Sequence, residues 1–113
     1  MFVISLNPGQ MVAVGDISVA ISALEEDRVR VAVYAPPGSR VMLMPEGVTV
    51  PANITVARAV MEQIHVGDDV QICVVKLEPQ RARLGFGAPP EWNIQKTWLV
   101  SEEEPWMLPA DGD

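Results

Sequence analysis

Over most of its length the chain alternates apolar and polar residues with a period of two, the pattern of half-buried β-strands. Phe2 to Leu6 is a short apolar run that stops at Asn7-Pro8-Gly9, where proline presets φ and glycine accepts positive φ, the chemistry of a turn. Met11 to Val14 follows and ends at Gly15-Asp16, a two-residue link of the kind that closes tight hairpins. Ile17, Val19 and Ile21 then alternate with Ser18, Ala20 and Ser22. After the acidic turn Glu25-Glu26-Asp27, Val29, Val31 and Val33 take one face and Arg28 and Arg30 the other. Ala35-Pro36-Pro37-Gly38 interrupts, because consecutive prolines donate nothing to a ladder, and Arg40 to Met44 is a short fifth strand.

Beyond a stretch with two prolines and a glycine, Pro45 to Ala52, which reads as a linker and not a helix, the same order returns. Ile54 to Ala59 and Met61 to Val66 predict two strands, although Ala57 to Gln63 also tolerates a helical turn. Val70, Ile72 and Val74 repeat the alternation, Ala82, Leu84 and Phe86 repeat the next strand, and Trp92 to Val100 closes the unit. Val14-Gly15-Asp16 recurs 52 residues on as Val66-Gly67-Asp68, and Ala35-Pro36-Pro37 recurs 53 residues on as Ala88-Pro89-Pro90, with Asp69 as the extra residue. Glu25 then falls on Glu78, Arg28 on Arg81 and Arg30 on Arg83. One supersecondary unit is written twice. The expected organisation is repeat 1 over residues 1–44, a linker over 45–52, repeat 2 over 53–100 and a tail over 101–113.

Length changes this picture in one respect. Each copy is shorter than about fifty residues, and a unit of that size rarely buries enough surface to stand alone. With 113 residues in all, the partner of each copy is expected to be the other. The apolar fraction of 49% supplies a core, yet no apolar run approaches the roughly 18 residues needed to span a membrane. The start of the chain lacks the basic flank of a secretion signal, so a cytoplasmic protein is expected.

Net charge is −7, and residues 101–113 carry five acidic side chains with no basic one. The body is therefore nearly balanced, and the strongly basic footprint of many nucleic-acid binders is missing. The tail reads as an acidic, disordered segment in which Trp106-Met107-Leu108 is the sort of anchor that docks on a protein partner. Cys73, the one cysteine, lies in an apolar run and reads as a buried, inert thiol. With one histidine, His65, there is too little for a zinc site, and no cofactor is expected. GxxxxGK[ST], HExxH, CxxC and GxSxG are all absent, so the chain does not read as an enzyme. Arg28 with Arg30, and Arg81 with Arg83, are able to hold phosphates but read as solvated strand faces paired to glutamates. Trp92 and Trp98 read as packing at the end of a sheet, and His65 as a solvent-facing strand residue.

Taken in order, the short first strand, the turn, the pair ending in Gly15-Asp16, the long strand, Val29-Arg30-Val31 and Ala35-Pro36 resemble the bacterial carbon storage regulators, the CsrA or RsmA family. Gly67-Asp68, Arg83-Leu84-Gly85 and Ala88-Pro89 carry the same marks in the second copy. The resemblance implies an all-β fold: two five-stranded units fused into one pseudo-twofold, strand-interlocked antiparallel domain, a monomer acting as a pseudo-dimer. It also implies a regulator of translation that binds GGA-containing loops in messenger RNA leaders. Fusion of the copies makes their assembly intramolecular, which raises effective concentration without any new contact.

In the family, RNA is gripped between the first strand of one subunit and the fifth strand of the other. Carried over, one composite site holds Ser5, Leu6 and Asn7 with Gln95 and Lys96, and the other holds Ala57, Arg58 and Ala59 with Val41, Met42 and Leu43. The family's basic pair on the first strand is here Leu6-Asn7 and Arg58-Ala59, and its fifth-strand arginine is Leu43 in one copy and Lys96 in the other. Each site keeps one cation. A hydrogen bond to a charged group contributes roughly 1.5–3 kcal/mol, so two lost per site weaken binding by about a hundred- to ten-thousandfold. The expectation is weak or altered RNA binding. The alternative is a protein-interaction module that kept the fold and lost RNA, and a third possibility has the acidic tail imitate RNA and cover the remaining cations.

Overall fold

In the computed structural model, residues 2–92 and 94–98 are described, and among them the chain forms eleven strands and no helix. The strands are β1 (Phe2–Leu6), β2 (Gln10–Val14), β3 (Ile17–Leu24), β4 (Val29–Tyr34), β5 (Val41–Met44) and β6 (Val48–Val50), then β7 (Ile54–Arg58), β8 (Gln63–Val66), β9 (Val70–Leu77), β10 (Ala82–Gly87) and β11 (Ile94–Trp98). They build two antiparallel sheets, one in the order β1-β10-β9-β8-β5-β6 and one in the order β11-β2-β3-β4-β7. No helix among the described residues is long and apolar enough to cross a membrane.

Each sheet takes strands from both ends of the sequence. A shift of six strands converts β1-β10-β9-β8-β5 into β7-β4-β3-β2-β11, which is the second sheet read backwards. The register follows the same rule residue by residue. Leu6 lies opposite Ala82 as Arg58 lies opposite Val29, and Ser5 opposite Arg83 as Ala57 opposite Arg30. Even the irregularities coincide: the β3–β4 ladder slips between Ile21 and Ala23, and the β9–β10 ladder slips beside Arg83 and Leu84.

The reason for the exchange is visible in the core. Ile17, Val19, Ile21, Val29, Val31 and Val33 in one sheet and Val70, Ile72, Val74, Ala82, Leu84 and Phe86 in the other belong to one continuous buried cluster. Each fully buried aliphatic side chain contributes roughly 1.5–3 kcal/mol, and neither sheet has a second face to bury those residues against. The two-residue alternation read from the sequence therefore becomes the inner face of each sheet.

One local feature differs from the sequence reading, and one alternative it left open is settled. The stretch from Pro45 to Ala52 is not strand-free, because Val48–Val50 folds back on β5 as a hairpin, with Gly47 at positive φ in the turn and its N–H donating to the Leu43 carbonyl at 2.8 Å. Its three residues extend the first sheet by an edge strand that, among the described residues, has no counterpart in the second sheet. Between β7 and β8 the chain makes a turn and no helix, with Met61 at φ 76°.

Candidate nucleic-acid interface

The edges of the two sheets meet at two places. At one, β1 comes beside β11: Phe2 and Ile94 line the same cleft with Phe86, Pro89 and Trp92. At the other, β7 comes beside the β5–β6 hairpin, where Arg58 reaches Glu46. These are the pairs of strands that the sequence reading combined, and Arg58 and Lys96 sit on opposite edge strands of one five-stranded sheet.

The β7 corner is closed by charge. Arg58 is only 3% exposed although it is an arginine at the end of an edge strand. Its guanidinium forms a fork with the Glu46 carboxylate, donates to the Gln63 carbonyl at 3.1 Å and to the Ala57 carbonyl at 3.2 Å, and lies 3.0 Å from Glu62 Oε1. The same Glu62 oxygen accepts the Ala59 N–H at 2.8 Å. Every donor direction of the fork has an acceptor, which is what allows a charge to be buried at all. The Arg58 hydrogen bond and charge, with a backbone hydrogen bond, hold the Glu46 carboxyl below the usual glutamate value.

The β1 corner repeats the backbone and discards the charge. Leu6 occupies the position of Arg58 and is fully buried, and Gln10 occupies the position of Glu62. Gln10 Oε1 accepts the Asn7 N–H at 2.8 Å, as Glu62 accepts that of Ala59. An amide keeps the oxygen the turn requires, and with no cation beneath it a carboxylate is not needed. Asn7 is part-exposed and donates from its side-chain amide to the Gln80 carbonyl at 3.1 Å.

The other predicted site residues divide by face. Ser5, Ala57 and Met42 are half-buried and Gln95 is exposed, whereas Val41 is wholly within the core. Val41 and Arg58 are thus enclosed where the sequence reading presented them to a ligand: Val41 because it shares the inward face with Val66 opposite, Arg58 because two carboxylates fold over it. Lys96 lies opposite Val12 in the β11–β2 ladder. The Trp106 segment of the tail lies outside the described residues.

Elsewhere the chemistry is quiet. Arg30 pairs with Glu25 across the turn at 3.1 Å and Arg28 with its neighbour Asp27 at 3.5 Å, the exposed ion pairs of a solvated face. Cys73 is buried, and desolvation raises its thiol pKa, which disfavours the reactive thiolate. His65 is half-buried and shares a 2.7 Å hydrogen bond with Gln63 Oε1. Trp92 packs against the core and over the β2–β3 turn, where Gly15 sits at φ 61° and an added Cβ would stand 2.9 Å from the indole. Among the described residues no three His, Cys, Asp or Glu side chains are grouped to hold a metal.

Against known proteins, residues 54–103 match the CsrA family, described as the Global regulator protein family. That stretch is CsrA-like. It comprises β7 to β11, the half that holds Arg58, the 78–83 turn and Lys96. The family is one of RNA-binding regulators and not of enzymes, and the all-β sheets are compatible with its fold. No curated protein and no solved structure matches the chain. Arg58's burial escaped the sequence reading, since its partner Glu46 is twelve residues away across a hairpin; the acidic residues at 46 and 62 were the available signal.

Proposed function

We propose that the protein is a single-chain, two-copy regulator of the CsrA type that binds a GGA-type loop in a messenger RNA leader, chiefly at the β1/β11 corner. The observation that carries the reading is the six-strand shift that maps one sheet onto the other, joined to the family match over the second half. In this reading residues 1–44 and 53–100 stand for two subunits, and residues 45–52 connect them. Ser5, Asn7, Gln95 and Lys96 form the working site. Ala57, Arg58, Val41 and Met42 form a second site that is nearly silent, because an RNA phosphate must first displace Glu46 or Glu62 from Arg58.

Fluorescence anisotropy with a labelled GGA hairpin at low salt tests this. Micromolar binding is expected, weakened about tenfold or more by Lys96→Ala, the loss of one charged contact. Arg58→Ala is expected to change affinity less. Absence of binding at tens of micromolar would end the RNA reading.

A protein-interaction module is the second reading, favoured by Phe2 and Val3, both about half exposed on the charge-free edge strand β1. An uncharged edge strand is an open template for another chain. In that case partners captured from a lysate should be lost with Val3→Lys, while RNA leaves both forms unaffected.

A further inference from the structure

The two turns that join the long strands of each half have the same backbone and opposite charge. In the first, Glu25 N–H donates to the Arg28 carbonyl at 2.8 Å, and in the second Glu78 N–H donates to the Arg81 carbonyl at 2.9 Å. The first carries Glu25, Glu26 and Asp27 against Arg28 and Arg30, a net charge of −1. In the second, Pro79 and Gln80 replace two of the carboxylates and Lys76 replaces Ala23, so Glu78 alone faces Lys76, Arg81 and Arg83, a net charge of +2.

The geometry gathers those cations on one exposed face. Lys76 Nζ is 3.6 Å and Arg83 Nε 3.9 Å from Glu78 Oε2, while Arg81 hydrogen-bonds Oε1. The glutamate side chain is 18% exposed and the three cations 45–61%, so the carboxylate lies beneath them and aims them outward. The register sets Ser5, Arg83 and Lys76 in one row across β1, β10 and β9. Beside that row a cleft of about 580 Å³ is lined by Asn7, Glu78, Pro79, Gln80 and Arg81. One carboxylate neutralises one cation, and ion pairs this exposed exchange readily with another anion.

We propose that Lys76, Arg81 and Arg83 hold phosphate groups of a single-stranded RNA that leaves the β1 corner across this sheet. The proposal rests on the RNA reading above and names the electrostatic grip that Leu6 and Asn7 no longer supply. Glu78 is a positioning residue, and Asn7, tied to the Gln80 carbonyl, joins the patch to the corner.

A salt series of anisotropy titrations with the GGA hairpin tests it. For single strands the slope of log affinity against log salt changes by roughly 0.7 per phosphate neutralised, so Lys76→Ala with Arg81→Ala should flatten it by about 1.4. Arg28→Ala with Arg30→Ala, on the acidic turn, should leave the slope unchanged. Pro79→Glu with Gln80→Asp, which copies the carboxylates of the first turn without touching a cation, should flatten the slope as well and serves if the alanine pair fails to fold. Wild-type slopes in both altered forms, with binding still sensitive to Lys96→Ala, overturn the phosphate patch and leave the RNA reading standing. No binding by the wild-type chain at low salt overturns both.

Discussion

Leu6 and Arg58 occupy the same place in two equivalent corners, one an apolar side chain with an amide beside it, the other a buried guanidinium between two carboxylates. The backbone does not register the difference: in both corners the residue at the turn donates its N–H to a side-chain oxygen three positions on, at 2.8 Å in each. What differs is how each corner depends on its surroundings. Leu6 is satisfied by any apolar neighbour, so its corner tolerates change around it. Arg58 is satisfied only while Glu46 and Glu62 remain, and Glu46 comes from the β5–β6 turn, in the stretch that connects the two halves. The charged corner thereby ties the hairpin between the halves to the edge of the second sheet, a restraint the apolar corner has no means to apply.

Removing the acceptors is the sharpest way to break the comparison. Glu46→Ala with Glu62→Gln leaves the oxygen that the Ala59 N–H needs but strands the Arg58 charge, and is expected to destabilise the fold by about 3–5 kcal/mol. Adding Arg58→Leu to that pair recreates the composition of the Leu6 corner and should recover most of the loss. Denaturant midpoints at constant slope measure both steps. If Arg58→Leu fails to rescue the double variant, the corners are not equivalent in energy, whatever their backbones share. By itself Arg58→Leu is expected to lie within roughly 1 kcal/mol of wild type, since Glu46 and Glu62 are part-exposed and return to water.

How much of this was legible beforehand follows from the range of each signal. The succession of strands along the chain and the hairpin turns were legible because a two-residue period and Gly-Asp pairs are local, and the alternations at Ile17, Val19 and Ile21 and at Val70, Ile72 and Val74 fall within the two long strands. Burial of the Val29, Val31, Val33 face was legible for the same reason. The β6 strand was not, because Val48-Thr49-Val50 lies between prolines and its pairing comes from β5. Nor was the enclosure of Arg58, which depends on a carboxylate delivered from another edge. The excess charge of the 78–83 turn was present in the letters, but only the shared position of Glu78 beneath three cations makes it a patch.

A smaller test concerns the turns themselves. Gly9 and Met61 are equivalent, at φ 93° and 76°, and each donates its N–H across to the long strand, to Ile21 and to Val74. A left-handed conformation penalises a side chain by roughly 1–2 kcal/mol, partly offset by the greater unfolded-state freedom of glycine. Met61 is 70% exposed and gives up little packing when removed. Met61→Gly is therefore expected to stabilise the protein by about 0.5–1 kcal/mol, and Gly9→Met to destabilise it by a similar amount. Thermal melts of the two variants should move in opposite directions; movement in the same direction would mean that the side chain and not φ governs the turn.

The smallest effect is the response to acid, and it separates the two charged regions. Glu46 and Glu78 both have carboxyl groups held below the ordinary glutamate value of 4.5, the first mainly by hydrogen bonding from Arg58 and the second mainly by hydrogen bonding from Arg81. A carboxyl whose pKa is lower folded than unfolded contributes stability that is complete above the unfolded value and is lost as pH falls through the folded one. Stability should thus be level above 4.5 with respect to both groups and decline below it. Arg58→Leu removes the Glu46 share of that decline and leaves the Glu78 share, while Arg81→Ala leaves the Glu46 share and removes the largest part of the Glu78 share, with Arg83 and Lys76 holding the rest. Denaturation midpoints on either side of 4.5 are expected to show a reduced slope in each variant and the sum of the two reductions when both are combined, because the regions share no partner and distant sites add. A slope unchanged by Arg58→Leu would mean that Arg58 does not hold the Glu46 charge in solution, and the corner would then be closed by packing alone.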